Sequence, residues 1–232
     1  MNIAEQTVLV TGSNRGLGKA MTKELLSRGA KVYASARDIQ SIDIPGAIPL
    51  QLDITDDESI QRAAKDAKDV TILINNAGVS TDTSLLSGDL TKIHLEYNTH
   101  VFGTLSMIRS FSPIIEKNGG GTILNILSAL SWLADGSNGA YSSAKSAEWG
   151  LTNALRLELA PKRVKMIGLH VAYMDTDMFM NKDVPKTAPE KIAKTAIDGI
   201  QSGITEILAD EISRSLQQSL SGGVRALYPD LK

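Results

Sequence analysis

The stretch TVLVTGSNRGLG, residues 7–18, decides the fold of this chain. It combines a short apolar run at 8–10, a glycine-rich turn, and a helical pattern over 18–28 that Gly29 stops. A strand that runs through glycines directly into a helix is the usual opening of a βαβ unit. Further strands and crossover helices are therefore expected in the rest of the chain.

The same alternation continues along the chain. Apolar runs predict strands at 32–36, 48–52, 70–74, 122–127, 164–169 and 206–208. Helical patterns occupy 56–67 (N-cap Thr55), 90–111 (with Pro113 near its end), 138–159 and 189–199. Strands joined by crossover helices predict an α/β fold. We expect one doubly wound (Rossmann) parallel sheet with helices on both faces, forming a single domain over residues 1–232.

Composition excludes several classes of function. The 24 Lys and Arg residues nearly balance the 26 Asp and Glu residues, which does not suit a general nucleic-acid binder. Cysteine is absent, so disulfides, thiolate nucleophiles and cysteine-ligated zinc are excluded. His94, His100 and His170 lack metal-ligand spacing, and no G-x-S-x-G turn indicates a serine hydrolase. No signal-peptide pattern or membrane-length apolar run occurs, so we expect a cytoplasmic protein without a membrane partner.

The glycines of the opening turn suit phosphate binding. Gly12, Gly16 and Gly18 follow the spacing G-x-x-x-G-x-G. Such a turn needs residues without a Cβ, so that the backbone can approach a pyrophosphate and the helix can sit close to the sheet. The helix N-terminus then presents free N–H groups to the phosphates.

Four motifs in order resemble those of the short-chain dehydrogenase/reductase family. TGSNRGLG at 11–18 resembles its T-G-x-x-x-G-x-G, and NNAG at 75–78 matches its N-N-A-G. Ser128 follows the fifth predicted strand, and YSSAK at 141–145 matches Y-x-x-x-K. The resemblance covers residues 7–178 and implies an NAD(P)-dependent oxidoreductase for a small-molecule carbonyl or alcohol. It implies cofactor contacts at Gly12, Asn14, Arg15, Gly16, Leu17, Gly18, Arg37, Asp53, Ile54, Asn76, Ala77, Gly78, Tyr141, Lys145, Ala172, Met174 and Thr176.

The end of the second strand bears on the choice of cofactor. In the family an acid there binds the ribose of NAD, but this chain has Ala36 followed by Arg37. Arg37 and Arg15 could together bind the 2′-phosphate of NADP. Asp38 has the spacing of a ribose-binding acid but lies two residues beyond the strand. We therefore expect NADP(H), with NAD(H) the less favoured cofactor. Asp53 resembles the family acid that binds the adenine amino group.

The resemblance implies a catalytic group of Ser128, Tyr141 and Lys145. Tyr141 and Lys145 are four residues apart and share one helix face. A nearby ammonium lowers the pKa of a phenol, which general acid–base catalysis at neutral pH requires. Ser128 would hold the substrate oxygen. His100, rather than Asn98, aligns with the family asparagine of the proton relay, so His100 either relays protons or fills space.

The residues after the sixth strand depart from the family pattern. Its Pro-Gly is replaced by Val171-Ala172, although Thr176 still matches the threonine that binds the carboxamide. Segment 178–189 looks like a lid. We expect an apolar substrate wall, which would suit a hydrophobic ketone, aldehyde or secondary alcohol, although any of its members could equally be core. Its candidates are Leu130, Trp132, Leu133, Tyr173, Met178 and Phe179, with Ser131 and Asn138 as polar contacts.

Two further interpretations remain open. A non-catalytic NADP(H)-binding sensor or scaffold could use the same fold, although intact Ser128, Tyr141 and Lys145 favour an enzyme. Family members are commonly homodimers or homotetramers, and we expect the same here. Trp149, Leu151, Leu155 and Leu159 could serve such an interface or the core. The tail at 213–232 departs from the usual last-strand pattern.

Overall fold

The strand of the quoted stretch lies near the middle of a parallel sheet. The computed structural model describes residues 1–180 and 183–230, and within them the sheet order is β3-β2-β1-β4-β5-β6-β7, parallel throughout. The strands are β1 (Thr7–Val10), β2 (Lys31–Ala36), β3 (Ile48–Gln51), β4 (Ile72–Asn75), β5 (Gly121–Ile126), β6 (Val164–His170) and β7 (Glu206–Leu208). The helices are α1 (Gly16–Ser27), α2 (Asp57–Asp66), α3 (Leu90–Tyr97), α4 (Thr104–Lys117), α5 (Gly139–Leu159), α6 (Pro189–Ser202), α7 (Glu211–Ser219) and α8 (Gly223–Leu227).

Apolar layers cover both faces of this sheet. Successive residues of a strand point to opposite faces. Val8 and Val10 of β1 therefore join the layer formed with α1 and α6, whereas Leu9 joins Ile60 of α2 and Phe111 of α4. Burial on both faces explains why the strands are nearly continuous apolar runs. The predicted doubly wound α/β fold is confirmed.

The long helix predicted over 90–111 begins at Leu90 as expected, but it is not α-helical throughout and it ends later. α3 ends at Tyr97, a π-helical segment spans Asn98–Gly103, and α4 follows directly. Pro113 lies inside α4, which continues to Lys117 because Ile115 beyond the proline is fully buried. π-helical turns are frequent at functional sites.

The predicted N-cap of α2 is also wrong. Asp56 takes that position, and its carboxylate accepts from Glu58 N at 2.9 Å. The Thr55 hydroxyl instead donates to Asp53 Oδ1 at 2.7 Å. A carboxylate one residue closer to the helix therefore satisfies its first turn.

The tail and the long helix α5 pack on their own chain. The tail forms α7 and α8, and the Tyr228 hydroxyl accepts from Ala134 N at 2.6 Å; residues 231–232 lie outside the described ranges. On α5, Leu159 is buried and Leu151 and Leu155 pack against the core. The homodimer or homotetramer stays a prediction. None of the described helices has the length and apolarity needed to cross a membrane.

Candidate active site

A cleft of about 890 Å³ opens at the carboxyl ends of the strands, around β1 and β4. This is the topological switch point, where the chain leaves adjacent strands in opposite directions. Of the sequence-predicted site residues, Gly18 and Ser128 are set back from the cleft surface. The others border the cleft: Gly12, Asn14, Arg15, Gly16, Leu17, Arg37, Asp53, Ile54, Asn76, Ala77, Gly78, His100, Tyr141, Lys145, Ala172, Met174 and Thr176.

The glycine loop adopts a shape that side chains would prevent. Gly12 has a φ of +66°, in the left-handed region that favours glycine. A Cβ on Gly18 would lie 2.2 Å from Gly12 O. Asn76 fastens this loop to the end of β4, because its Nδ2 donates to Thr11 O at 2.8 Å and to Gly12 O at 3.1 Å. The loop is thus held open at the start of α1.

The N-terminus of α1 fits a phosphate group. Arg15 precedes the helix in an extended conformation, and no side chain caps the first turn. The N–H groups of that turn carry a partial positive charge and lack partners within the helix. With the glycine loop beside them, these groups fit the pyrophosphate of a dinucleotide.

The outer end of the cleft combines two arginines with an apolar strand end. Ala36, the last residue of β2, is followed in the cleft wall by Arg37. Asp38 also borders the cleft, but its carboxylate accepts from Gln40 N at 3.0 Å. Arg15 lies across the mouth, where its Nη1 is 3.2 Å from Asp177 Oδ2. Both side chains of this ion pair are largely exposed, so it is weak.

Tyr141 and Lys145 border the inner end of the cleft from the first turns of α5. Both are buried, and Ser128 is near enough to lower the pKa of the Tyr141 phenol. Ser128 itself caps a short 3-10 turn, with its Oγ accepting from Leu130 N at 3.1 Å. The lowered pKa expected for Tyr141 is wrong for the free protein: burial raises the pKa, and the Lys145 ammonium and Ser128 oppose that rise without cancelling it. The phenol therefore stays protonated at neutral pH.

His100 reaches the same place from the π-helical segment. Its ring meets the Tyr141 ring edge-on at a centroid distance of 5.3 Å, and its Nε2 lies 2.7 Å from Val79 O. A carbonyl oxygen at that distance needs a proton on Nε2. Asn98 is exposed and does not border the cleft. A proton relay through His100 stays a prediction.

Sequence reasoning missed two buried acids behind these residues. Glu96 is 0% exposed and Glu148 2%, although both read as surface positions of amphipathic helices. Glu148 Oε2 lies 2.7 Å from Lys145 Nζ, and Glu96 Oε2 lies 3.4 Å from His100 Nε2. The available signal was spacing: Glu148 follows Lys145 by three residues, and Glu96 precedes His100 by four.

Most of the expected apolar substrate wall lies elsewhere. Met178 borders the cleft in the described chain, whereas Leu130, Leu133 and Tyr173 do not. Trp132 stacks on His170 at 3.7 Å, because the buried imidazole offers a flat apolar face. The Phe179 side chain lies outside what is described.

The segment after β6 is held by partners from two other parts of the chain. Ala172 N donates to the Asp210 carboxylate at 2.6 Å, where the family has Pro-Gly. Met174 pairs with Thr187, which folds the far end of the predicted lid back on the cleft. Within that lid, residues 181–182 lie outside the described ranges.

Comparison with known proteins identifies the family. The family profile described as short chain dehydrogenase matches residues 6–186. The chain belongs to the short-chain dehydrogenase/reductase family. Its members are oxidoreductases that act on CH–OH and C=O groups.

Individual relatives agree with the family profile. A crystal structure of a short-chain dehydrogenase from Burkholderia cenocepacia J2315, in complex with NADP, is 36% identical, with a TM-score of 0.94 over 99% of this chain and 98% of that one. The short-chain dehydrogenase cctT of Talaromyces islandicus is 31% identical over 83% of this chain and 73% of its own length. An NADPH-dependent 1-acyldihydroxyacetone phosphate reductase of Schizosaccharomyces pombe is 30% identical over 75% of this chain. The match covers 61% of that reductase's own length.

Proposed function

We propose that this short-chain dehydrogenase/reductase transfers hydride between NADP(H) and a small-to-medium hydrophobic ketone, aldehyde or secondary alcohol. The observation that carries the proposal is one cleft with a phosphate cradle at one end and a buried, protonated Tyr141 at the other. A sensor without catalysis would not need Tyr141 beside both Lys145 and Ser128.

Charge at the outer end of the cleft supports NADP(H) over NAD(H). Arg15 and Arg37 border the cleft there, and β2 ends in Ala36 rather than an acid. Guanidinium groups bind a phosphate dianion with charge-assisted hydrogen bonds, whereas an acid would repel it. Asp38 also borders this end, but its carboxylate accepts from Gln40 N of its own loop and is outnumbered by the two guanidinium groups. The Burkholderia cenocepacia relative with NADP is consistent with this preference.

The side chains around Tyr141 account for the acid–base chemistry. When bound, NADPH supplies the hydride that reduces the carbonyl carbon. The Tyr141 phenol donates its proton to the carbonyl oxygen, with Ser128 beside the phenol and set back from the cleft. Alcohol oxidation runs the same transfer in reverse and requires the phenolate. The raised pKa of Tyr141 keeps the phenol protonated at neutral pH, which is the form that carbonyl reduction uses.

The lining of the inner cleft supports a substrate without a charged group. Met174, Met178, Val79 and Leu95 border it, with Ser80 and Thr99 as polar neighbours. Among the described lining residues, the arginines and lysines other than Lys145 are Arg15 and Arg37, which the proposal assigns to the cofactor phosphate, so a substrate phosphate or carboxylate would lack a counter-charge of its own.

A panel of uncharged ketones and aldehydes tests the proposal. We expect carbonyl-dependent oxidation of NADPH, faster than that of NADH, with the alcohol recovered in equal amount. Tyr141→Phe should bind NADPH but lose this turnover. NADPH binding with no turnover on any carbonyl would instead favour the sensor.

A further inference from the structure

Two carboxylates, Glu96 and Glu148, lie behind the catalytic residues, and the proposed chemistry uses neither of them. Acidic side chains are almost never buried this deeply unless they are paired. Glu96 Oε1 accepts from the backbone N and the hydroxyl of Thr81, at 2.6 and 2.9 Å. Glu148 differs from Glu96 in its partner, because its carboxylate pairs with the ammonium of Lys145.

Glu148 fixes the position of Lys145. Its Oε2 accepts from Lys145 Nζ at 2.7 Å, and its Oε1 accepts from the Thr104 hydroxyl at 3.1 Å. Lys145 Nζ also donates to Ile126 O at 2.7 Å. An ammonium has three N–H donors, so two are held by the protein and one is left for the cleft that Lys145 borders. Glu148 thereby orients that remaining donor.

Glu148 also supplies negative charge close to Tyr141. The charged and titratable groups that face the phenol from the surrounding elements are Lys145, Glu148, His100 and Glu96. The buried site thus contains one ammonium, that of Lys145, and the two carboxylates of Glu148 and Glu96. Charges interact strongly in such a site. A second negative charge opposes formation of a phenolate.

We propose that Glu148 is a positioning residue for carbonyl reduction: it anchors Lys145 toward the cleft, and its charge opposes loss of the Tyr141 proton as the pH rises. The role rests on the proposed function and adds an alkaline limit to the same site. Burial is the largest cause of the raised pKa of Tyr141, and Glu148 and then Glu96 raise it further. Burial alone would lower the pKa of Lys145, but Glu148 leads the contributions that raise it.

Two substitutions separate the charge of Glu148 from its position. Glu148→Gln keeps the shape and removes the charge, whereas Glu148→Asp keeps the charge and shortens the reach. Glu158→Gln, at an exposed position of the same helix, is the matched control. The first readout is the ultraviolet absorbance of tyrosinate during a pH titration of the free protein, with Tyr141→Phe subtracted. The second is the pH dependence of kcat for carbonyl reduction.

We expect Glu148→Gln to lower the Tyr141 midpoint, and the alkaline limb of kcat, by about 1 pH unit. Glu148→Asp keeps the negative charge and should lower kcat by about 10- to 100-fold, because Lys145 is displaced. Glu158→Gln should change neither. An unmoved or raised midpoint in Glu148→Gln, or a wild-type kcat in Glu148→Asp, would overturn the role.

The proposed function fails by a different result. If Tyr141→Phe retains carbonyl reduction, the assigned chemistry is wrong whatever Glu148 does. If Tyr141→Phe is inactive and the Glu148→Gln midpoint stays in place, the role of Glu148 alone is wrong. Should Glu148→Gln fail to fold, as judged by circular dichroism, the kcat of Glu148→Asp decides.

Discussion

Gly18→Ala tests the glycine loop through a steric conflict that can be measured in ångströms. The new Cβ would lie 2.2 Å from Gly12 O and 2.5 Å from Asn76 Nδ2. Contacts to carbon are comfortable only beyond about 3.5 Å, so the loop or α1 must move by roughly 1 Å. Backbone cannot rotate away as a side chain would. Overpacking of this kind costs about 1–3 kcal/mol.

The matched control is Gly150→Ala on α5. Nothing lies within 4 Å of a Cβ at Gly150, so alanine there should stabilise the helix by about 0.5–1 kcal/mol. Gly18→Ala should instead lower the melting temperature by roughly 2–12 °C. Displacement of the loop should also weaken NADPH binding by about tenfold or more, equivalent to about 1.4 kcal/mol.

Urea denaturation and titration of NADPH fluorescence measure the two effects separately. Gly18→Ala should lose both stability toward unfolding and affinity for NADPH. Gly150→Ala should lose neither. If the two variants behave alike in both assays, close packing of α1 against the loop does not shape the phosphate site.

Three further predictions concern the two ends of the cleft. Arg37→Asp should shift the NADPH/NADH ratio of kcat/KM toward NADH by about tenfold or more; an unchanged ratio contradicts the phosphate contact. His100→Ala should alter the pH dependence of kcat/KM, and an unaltered profile would remove His100 from any relay. Lys145→Met should lower kcat by about 10²- to 10⁴-fold and destabilise the fold by about 3–5 kcal/mol, because Glu148 is left unpaired. Lys145→Met combined with Glu148→Met should regain stability in urea denaturation without regaining kcat, whereas a double variant as unstable as Lys145→Met would contradict the pairing.

The features that could be predicted from the sequence are those with local causes. The glycine spacing of residues 12–18 specifies a turn that runs into a helix, whatever the rest of the chain does. Tyr141 and Lys145 share a face because they are one helical turn apart. Alternating apolar runs and helices predict a parallel sheet with crossover connections, whereas the order of its strands is set by pairings distant in sequence.

The features that could not be predicted depend on partners distant in sequence. Glu148 is buried because Thr104 and Lys145 meet it, and Glu96 because Thr81 does. Trp132 is not part of the expected substrate wall, because its ring stacks on the ring of His170 in β6. The π-helical segment before α4 has no signature in the apolar periodicity.

The most direct test of the acid–base assignment is kcat for carbonyl reduction by wild type and Tyr141→Phe at saturating NADPH. Removal of the phenolic proton donor should lower kcat by about 10²- to 10⁴-fold while the Kd for NADPH stays unchanged. Equal kcat values in the two proteins would contradict the account.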